Sequence, residues 1–464
     1  MKTLLLAIVV LLPFSAAAAD PLIVHEWGTF TVLQDENGKP IGGLNTDDEP
    51  LPKFVHRLVS FHSGPLDFPR SIFPPGLFQG VPFNCRQDIT LRLETPVTYF
   101  YVPESFRFST PIDVTVGFRG GLLTEFYPDA NATAPGVDRE RGVFGRISPS
   151  TTGTLAWPGL RLDPDARGPE TPEHVWTSPR NVDSIPVRAP NGEAEQYLFY
   201  RGVGNIESPL RAANSSEDGS LTLSGAISGR DFPNGPLSIP KLWLVSVQDD
   251  GKAAFRAFGP LELSAGNASP VSVIKPGEEF SHHSTENLDD LRWSMKRALV
   301  ADGLYELEAE AMLATWEFSY FNSAGLRLFY IVPREWTDRI LPIEVSIPAD
   351  ISRVMVGRIE LVSPRQRALL AAIASTTIDD FGPVLQALRT VHREHGVLTT
   401  PSDLHKLIKQ GRVGQEIPEV YRNYLALGRF RNALILDEQR KRPTPQLAAF
   451  IQGFGLEAAA IPGS

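Results

Sequence analysis

Apolar and polar positions alternate over short runs through the first part of the chain. LIVHEWGTFTVL at 22–33, VTYFYV at 97–102, IDVTVGF at 112–118 and LLTEFY at 122–127 all read this way, as do QYLFYRGV at 196–203, LTLSGAI at 221–227 and KLWLVSV at 241–247. Runs of this length bounded by Gly and Pro predict β-strands. Turn-rich stretches such as PDARGPETPE at 164–173 separate them, and helical spacing is absent before residue 284. Many short strands with this punctuation predict antiparallel sheets packed in a sandwich-like arrangement.

The pattern changes at residue 284. STENLDDLRWSMKRALVADG offers N-caps at Ser284 and Thr285, repeats Leu288, Leu291, Met295 and Leu299 at helical spacing, and supplies a stop at Gly303. LYELEAEAMLATWEFSYF at 304–321 is a second helix of good helix formers, with Trp316 as a core anchor. Strands return at GLRLFYIVP and RVMVGRIELV. Beyond Pro364, helices are expected near 365–376, 379–394, 402–410, 417–437 and 444–453, with short connections that make antiparallel neighbours. The expected fold is therefore α+β. A β-rich region covers 20–283, a mixed α/β segment at 284–362 packs on it, and 363–464 is mostly helical. One echo crosses these regions: YFYVPESFRFSTPIDVTV at 99–116 resembles LFYIVPREWTDRILPIEVSI at 328–347. If it is a duplicated unit, Pro111 and Pro342 should each begin a second strand.

Residues 1–19 have a different character. Lys2, an apolar run from Leu4 to Phe14 and four alanines before Asp20 form the pattern of a signal peptide cleaved after Ala19. The run falls short of the roughly 20 residues that a spanning helix needs. A periplasmic or secreted protein with no transmembrane segment in its mature chain is expected. The formal net charge of −10 argues against nucleic acid as a partner. Cys85 is the single cysteine, so no intramolecular disulfide forms, and it reads as a small buried residue.

Chemistry enters through the acids. In VHEWGTFTV, period two puts Val24, Glu26, Gly28, Phe30 and Val32 on one face, with His25, Trp27, Thr29 and Thr31 on the other. Glu26 thus points among apolar neighbours, with Gly28 leaving room beside it. A two-residue hairpin turn at Gly120-Gly121 would put Glu125 on the face of Val114, Val116 and Phe118, although a one-residue bulge reverses this. Arg201 shares a face with Phe199 and Val203. Two inward acids and one inward Arg need partners. They form either a buried network that fixes sheet packing, with Arg201 on Glu26, or a cleft in which Glu26 and Glu125 act as catalytic acid and base on a saccharide. His25, Trp27, Tyr127, Tyr200 and Arg201 are the candidate binding residues of such a cleft.

Metal and nucleophile chemistry have weaker signals. The nine histidines form no HExxH and no zinc spacing; a site would need His56 or His62 to approach His25, or the pair His282-His283. No GxSxG elbow and no strand–GxGxxG–helix context occurs. No metal ligand set is assigned, and the cofactor is unknown.

The motif HEWGTFT, with LPKFVHR at 51–57, ETPVTYFY at 94–101, GLLTEFYP at 121–128, LFYRGVG at 198–204, EAEAMLATW at 308–316 and YLALGRFRNALILDE at 424–438, resembles a family of secreted bacterial proteins. The resemblance spans most of the mature chain and implies no particular activity. Three functions stay open. The first is an extracytoplasmic binding or scaffolding protein for an unknown ligand, with a saccharide or envelope component as partner. The second is a carboxylate-based hydrolase or lyase, and the third a metal-dependent enzyme built on His25.

Overall fold

The computed structural model describes residues 20–44, 51–58, 85–138, 143–214, 220–227, 232, 236–248, 250–264, 272–275, 280, 282–377, 419–453 and 456. The expected signal segment, His62, and the expected helices at 379–394 and 402–410 lie outside them. The architecture is α+β. Its strands include β1 (Leu22–Gln34), β2 (Leu91–Tyr101), β3 (Ile112–Arg119), β4 (Gly121–Tyr127), β5 (Thr152–Leu162) and β6 (Leu198–Gly204). They continue with β7 (Leu242–Val247), β8 (Ala253–Phe258), β9 (Gly325–Ile331), β10 (Ile343–Val345) and β11 (Ala349–Leu361). Among the described residues these belong to one 15-stranded sheet, with the order β5-β4-β6-β2-β1-β11-β9-β7-β8 along its main path.

The sheet is mixed, not antiparallel throughout. β1 and β11 run parallel at its centre, Leu22 opposite Ala349 and Gln34 opposite Leu361. The segment 284–362 therefore supplies central strands. Both faces of β1 are covered, and all of its residues but Ile23 are buried. On the first face, Val24, Phe30 and Val32 join Leu93, Met355 and Ile359. On the second, Trp27 joins Val97, Tyr99, Val354 and Val356 under α1 (Glu286–Ala301) and α2 (Glu306–Thr315). Leu291, Met295 and Leu299 are the buried stripe of α1, and Trp316 is buried just beyond α2.

β3 and β4 do not form the expected hairpin. β3 pairs with β5 and β10, while β4 pairs with β6, so the chain turns a corner at Gly120, whose φ is +85°. β5 itself escapes sequence patterning because Pro158 and Gly159 interrupt it; they sit where its register with β3 shifts, a place that tolerates proline. In the echoed units, Pro111 and Pro342 each stand just before a strand. β2 flanks β1, β9 flanks β11, and the second strands β3 and β10 pair with each other. The intervening segments differ, since the second contains a helix, α3 (Arg334–Ile340).

At the C-terminus, α4 (Pro364–Ser375) packs with α5 (Glu419–Ala426) and α7 (Pro445–Gly453). The single helix expected at 417–437 is two, α5 and α6 (Arg431–Lys441), because Gly428 turns the chain with φ +85°. Lys441 on α6 holds Asp35 at 2.8 Å, which ties this cap to the end of β1. Cys85 is buried, and burial pushes its thiol up to about 12. No helix among the described residues is long and apolar enough to cross a membrane.

Candidate functional site

Glu26 is fully buried on the first face of β1. The parallel register sets Arg353 of β11 directly beside it. Arg353 Nε donates to Glu26 Oε2 at 2.7 Å, and Nη2 lies 2.5 Å from the same oxygen. The other oxygen, Oε1, accepts from the Tyr200 hydroxyl and, at 3.4 Å, from Thr98 Oγ1. Arg353 Nη1 donates to Asp338 Oδ1 at 3.0 Å, and Arg334 Nε donates to Asp338 Oδ2 at 2.7 Å. Burial lowers the proton affinity of Arg353, but the Glu26 charge outweighs it and the guanidinium ends above its usual range. Burial, then the Glu26 carboxylate, lifts the Tyr200 hydroxyl well above the usual phenol range. Both Glu26 oxygens are occupied and dry, so this acid has no open position for a substrate.

Three expectations change here. The partner of Glu26 is Arg353, not Arg201. Gly28 does not open space beside Glu26: a Cβ there would stand 3.0 Å from Pro96 Cα and 3.1 Å from Met355 Sδ, so the glycine permits close packing. Glu125 is not on the face of Val114, Val116 and Phe118, because β3 and β4 do not pair and β4 carries a register shift between Leu123 and Glu125. Glu125 is buried between Arg57, 3.3 Å away, and Arg201, its direct neighbour in β6. Alternation along β6 puts Arg201 with Phe199 on the second face and Tyr200 on the first, so Glu26 and Glu125 lie on opposite faces. They do not form one cleft.

The candidate binding residues are also inside. Trp27 is fully buried, 6.4 Å from Tyr99 between ring centroids. Tyr127 packs against Phe54 and Trp176. Arg201 Nε donates to Thr95 Oγ1 at 3.1 Å. His25 belongs to a second network near the surface. Its Nδ1 donates to Glu308 Oε2 at 2.8 Å, since an ionised carboxylate only accepts. Glu308, fully buried in α2, also accepts from the Tyr305 backbone N–H and from the Tyr101 hydroxyl, each at 2.7 Å. Burial and then Glu308 raise the Tyr101 hydroxyl above the usual phenol range. Glu308 thus fixes the His25 tautomer and caps α2 with one side chain.

Among the described residues, no group of three or more His, Cys, Asp or Glu is placed to hold a metal ion. His56 joins Glu193 at 2.9 Å and stacks near Phe126, apart from the His25 network. His283 Nε2 lies 3.1 Å from Ser246 Oγ.

An open groove lies elsewhere, between α1 and the ends of β7 and β9. Its volume is about 360 Å³, and Trp293, Ser294, Arg297, Asp302, Lys241 and Ile331 are among its lining residues. Trp293 is 61% exposed, and the Arg297 guanidinium lies 4.6 Å from its ring centroid. Ser294 Oγ accepts from Trp243 Nε1 at 2.9 Å, which anchors the groove to the sheet. The sequence did carry a sign of this place: Trp293 lies off the Leu288, Leu291, Met295 and Leu299 stripe, an aromatic on the polar side of an amphipathic helix.

No protein-family model matches the chain, and no curated protein matches it. Among solved structures, the chain is similar to the Fcho1 Mu homology domain of Danio rerio with bound Eps15 peptide. The identity is 9%, over 75% of this chain and 98% of that one, with a TM-score of 0.28, a likeness that carries no argument about function.

Proposed function

We propose that this is an extracytoplasmic binding protein whose ligand docks in the groove beside α1, and that the ligand is a saccharide. The observation that carries the reading is the exposed Trp293 indole in a groove that also presents Lys241, Arg297, Ser294 and Asp302. A flat apolar ring stacks on the C–H face of a sugar, while cationic donors and a carboxylate acceptor meet its hydroxyls. The rival hydrolase reading has less support, because Glu26 and Glu125 are each neutralised by arginine and face different layers. A glycan array followed by calorimetry on its hits tests the proposal. Saturable glycan binding that Trp293→Ala removes, with the melting curve retained, is expected. Absence of any glycan hit, or undiminished binding by Trp293→Ala, overturns it.

A further inference from the structure

We propose, building on the saccharide reading, that the groove beside α1 takes an acidic sugar, a uronic acid or a sulfated sugar whose negative charge meets Lys241 and Arg297. Each wall of the groove supplies one of these cations. Lys241 stands just before β7, where its carbonyl accepts from the Ile331 N–H at 3.0 Å and roots the residue in the sheet. Arg297 comes from α1, four positions after Trp293, so the two are neighbours on the helix face that lines the groove.

Inside the sheet, cations are answered by the protein's own acids. Glu26 meets Arg353, Glu94 meets Arg92 and Arg429, and Glu360 meets Arg327 and Arg358. Glu94 also accepts from Thr31 Oγ1 at 2.9 Å. The same holds for two cations of α1 itself. Arg292 pairs with Glu317 at 2.7 Å, and Lys296 lies 2.5 Å from Glu310 and 3.4 Å from Glu306 of α2. Arg297, one position beyond Lys296, turns to the groove instead. Among the described residues, no carboxylate is within ion-pairing distance of Arg297 or Lys241.

The groove therefore keeps a positive surplus. Its lining holds two cations and one acid, Asp302, a formal charge of +1 on a chain whose formal net charge is −10. Such a patch attracts an anionic ligand to a surface that otherwise repels it. The geometry suits one bound ring. The Arg297 guanidinium lies 4.6 Å from the Trp293 ring centroid, which joins a stacking surface to a planar fork of donors. A sugar stacked on the indole carries its substituents to the edge of that surface, where a carboxylate or sulfate accepts two parallel N–H bonds. Pro240, Ala298 and Ile331 add apolar lining for its C–H face. A neutral sugar would strip water from both cations and return no counter-charge, so it binds at a disadvantage.

Calorimetry of the full chain tests this in two arms. Oligosaccharides of pectate, alginate and hyaluronan, each beside its methyl ester, test the carboxylate; carrageenan fragments beside their desulfated forms test the sulfate. At least one acidic member should bind saturably, with its neutral counterpart about tenfold or more weaker. The arm that shows this preference identifies the anion. Arg297→Gln and Lys241→Gln should each weaken the acidic member about tenfold, bind the neutral counterpart as wild type does, and keep the melting curve. Trp293→Ala should lose both members. Equal binding of charged and neutral members through Trp293 overturns the acidic assignment and leaves the saccharide groove standing, a comparison made on the wild-type chain alone. An undiminished preference in the Arg297→Gln, Lys241→Gln double variant has the same consequence. If no saccharide binds, acidic or neutral, both readings fall.

Discussion

Two buried arginines five positions apart on β11 have different circumstances. At Arg353, the Glu26 carboxylate and the half-exposed Asp338 absorb the guanidinium, while the Tyr200 phenol takes the other Glu26 oxygen, and the group is closed. At Arg358, the carboxylates of Glu94 and Glu360 are shared with Arg92, Arg327 and Arg429. Depth, strand and residue type are the same. The difference lies in how the charges are shared: Glu26 meets one guanidinium, whereas Glu94 and Glu360 each meet two. A buried charge is thus weak evidence of function by itself, since it serves packing in a single pair and in a shared network alike.

The largest effect should come from unbalancing the closed group. Glu26→Gln leaves Arg353 without its counter-charge in a dry interior and should cost about 3–5 kcal/mol in urea unfolding. A loss under about 1 kcal/mol would mean that the pair is not the closed unit its geometry describes. Acid should act next, at the other group. Glu94 is depressed in the folded protein, so its contribution is complete above the ordinary carboxyl range and is lost as pH falls from there toward about 2. That contribution is about 3 kcal/mol. Stability measured between pH 5 and pH 2 should therefore fall less steeply in Glu94→Gln than in wild type; parallel curves would show that Glu94 does not sit in a cationic field. The smallest test compares the two threonines. Thr31→Val should cost about 1.5 kcal/mol and Thr98→Val about 0.5 kcal/mol, because only Thr31 is at full hydrogen-bonding distance from its carboxylate. Equal costs in chemical denaturation would erase the contrast.

Alternation alone made much of this readable. It put Glu26 with Val24, Phe30 and Val32, and it put Thr29 and Thr31 on the reverse face. Arg353 went unnoticed: in the structure it shares a face with Met355 and Ile359, yet nothing local says that a strand beginning at residue 349 lies parallel to one beginning at residue 22. Arg201 was preferred for being inward, but a side chain's face does not reveal its neighbour. Glu125 was misplaced because Gly120-Gly121 looks like a hairpin turn and is a corner between differently paired strands. The β5 strand was hidden by Pro158, and the helix break at Gly428 by good helix formers on both sides. The arginine group was the least legible part, since its members come from β2, β9, β11 and the turn before α6, far apart in sequence.

The parallel alignment of β1 with β11 also constrains how the molecule is born. Glu26 and Arg353 are 327 positions apart, so during synthesis the first strand emerges long before its central partner exists. Until then it has an unsatisfied edge and a hydrophobic surface on each side, the features that invite aggregation. Closing so long a loop is also slow. A ribosome-bound or prematurely terminated chain that stops before residue 349 would carry a sticky ribbon where the mature molecule has its most protected strand. Such a polypeptide needs its own final quarter, and protection until that is made, to reach the folded state.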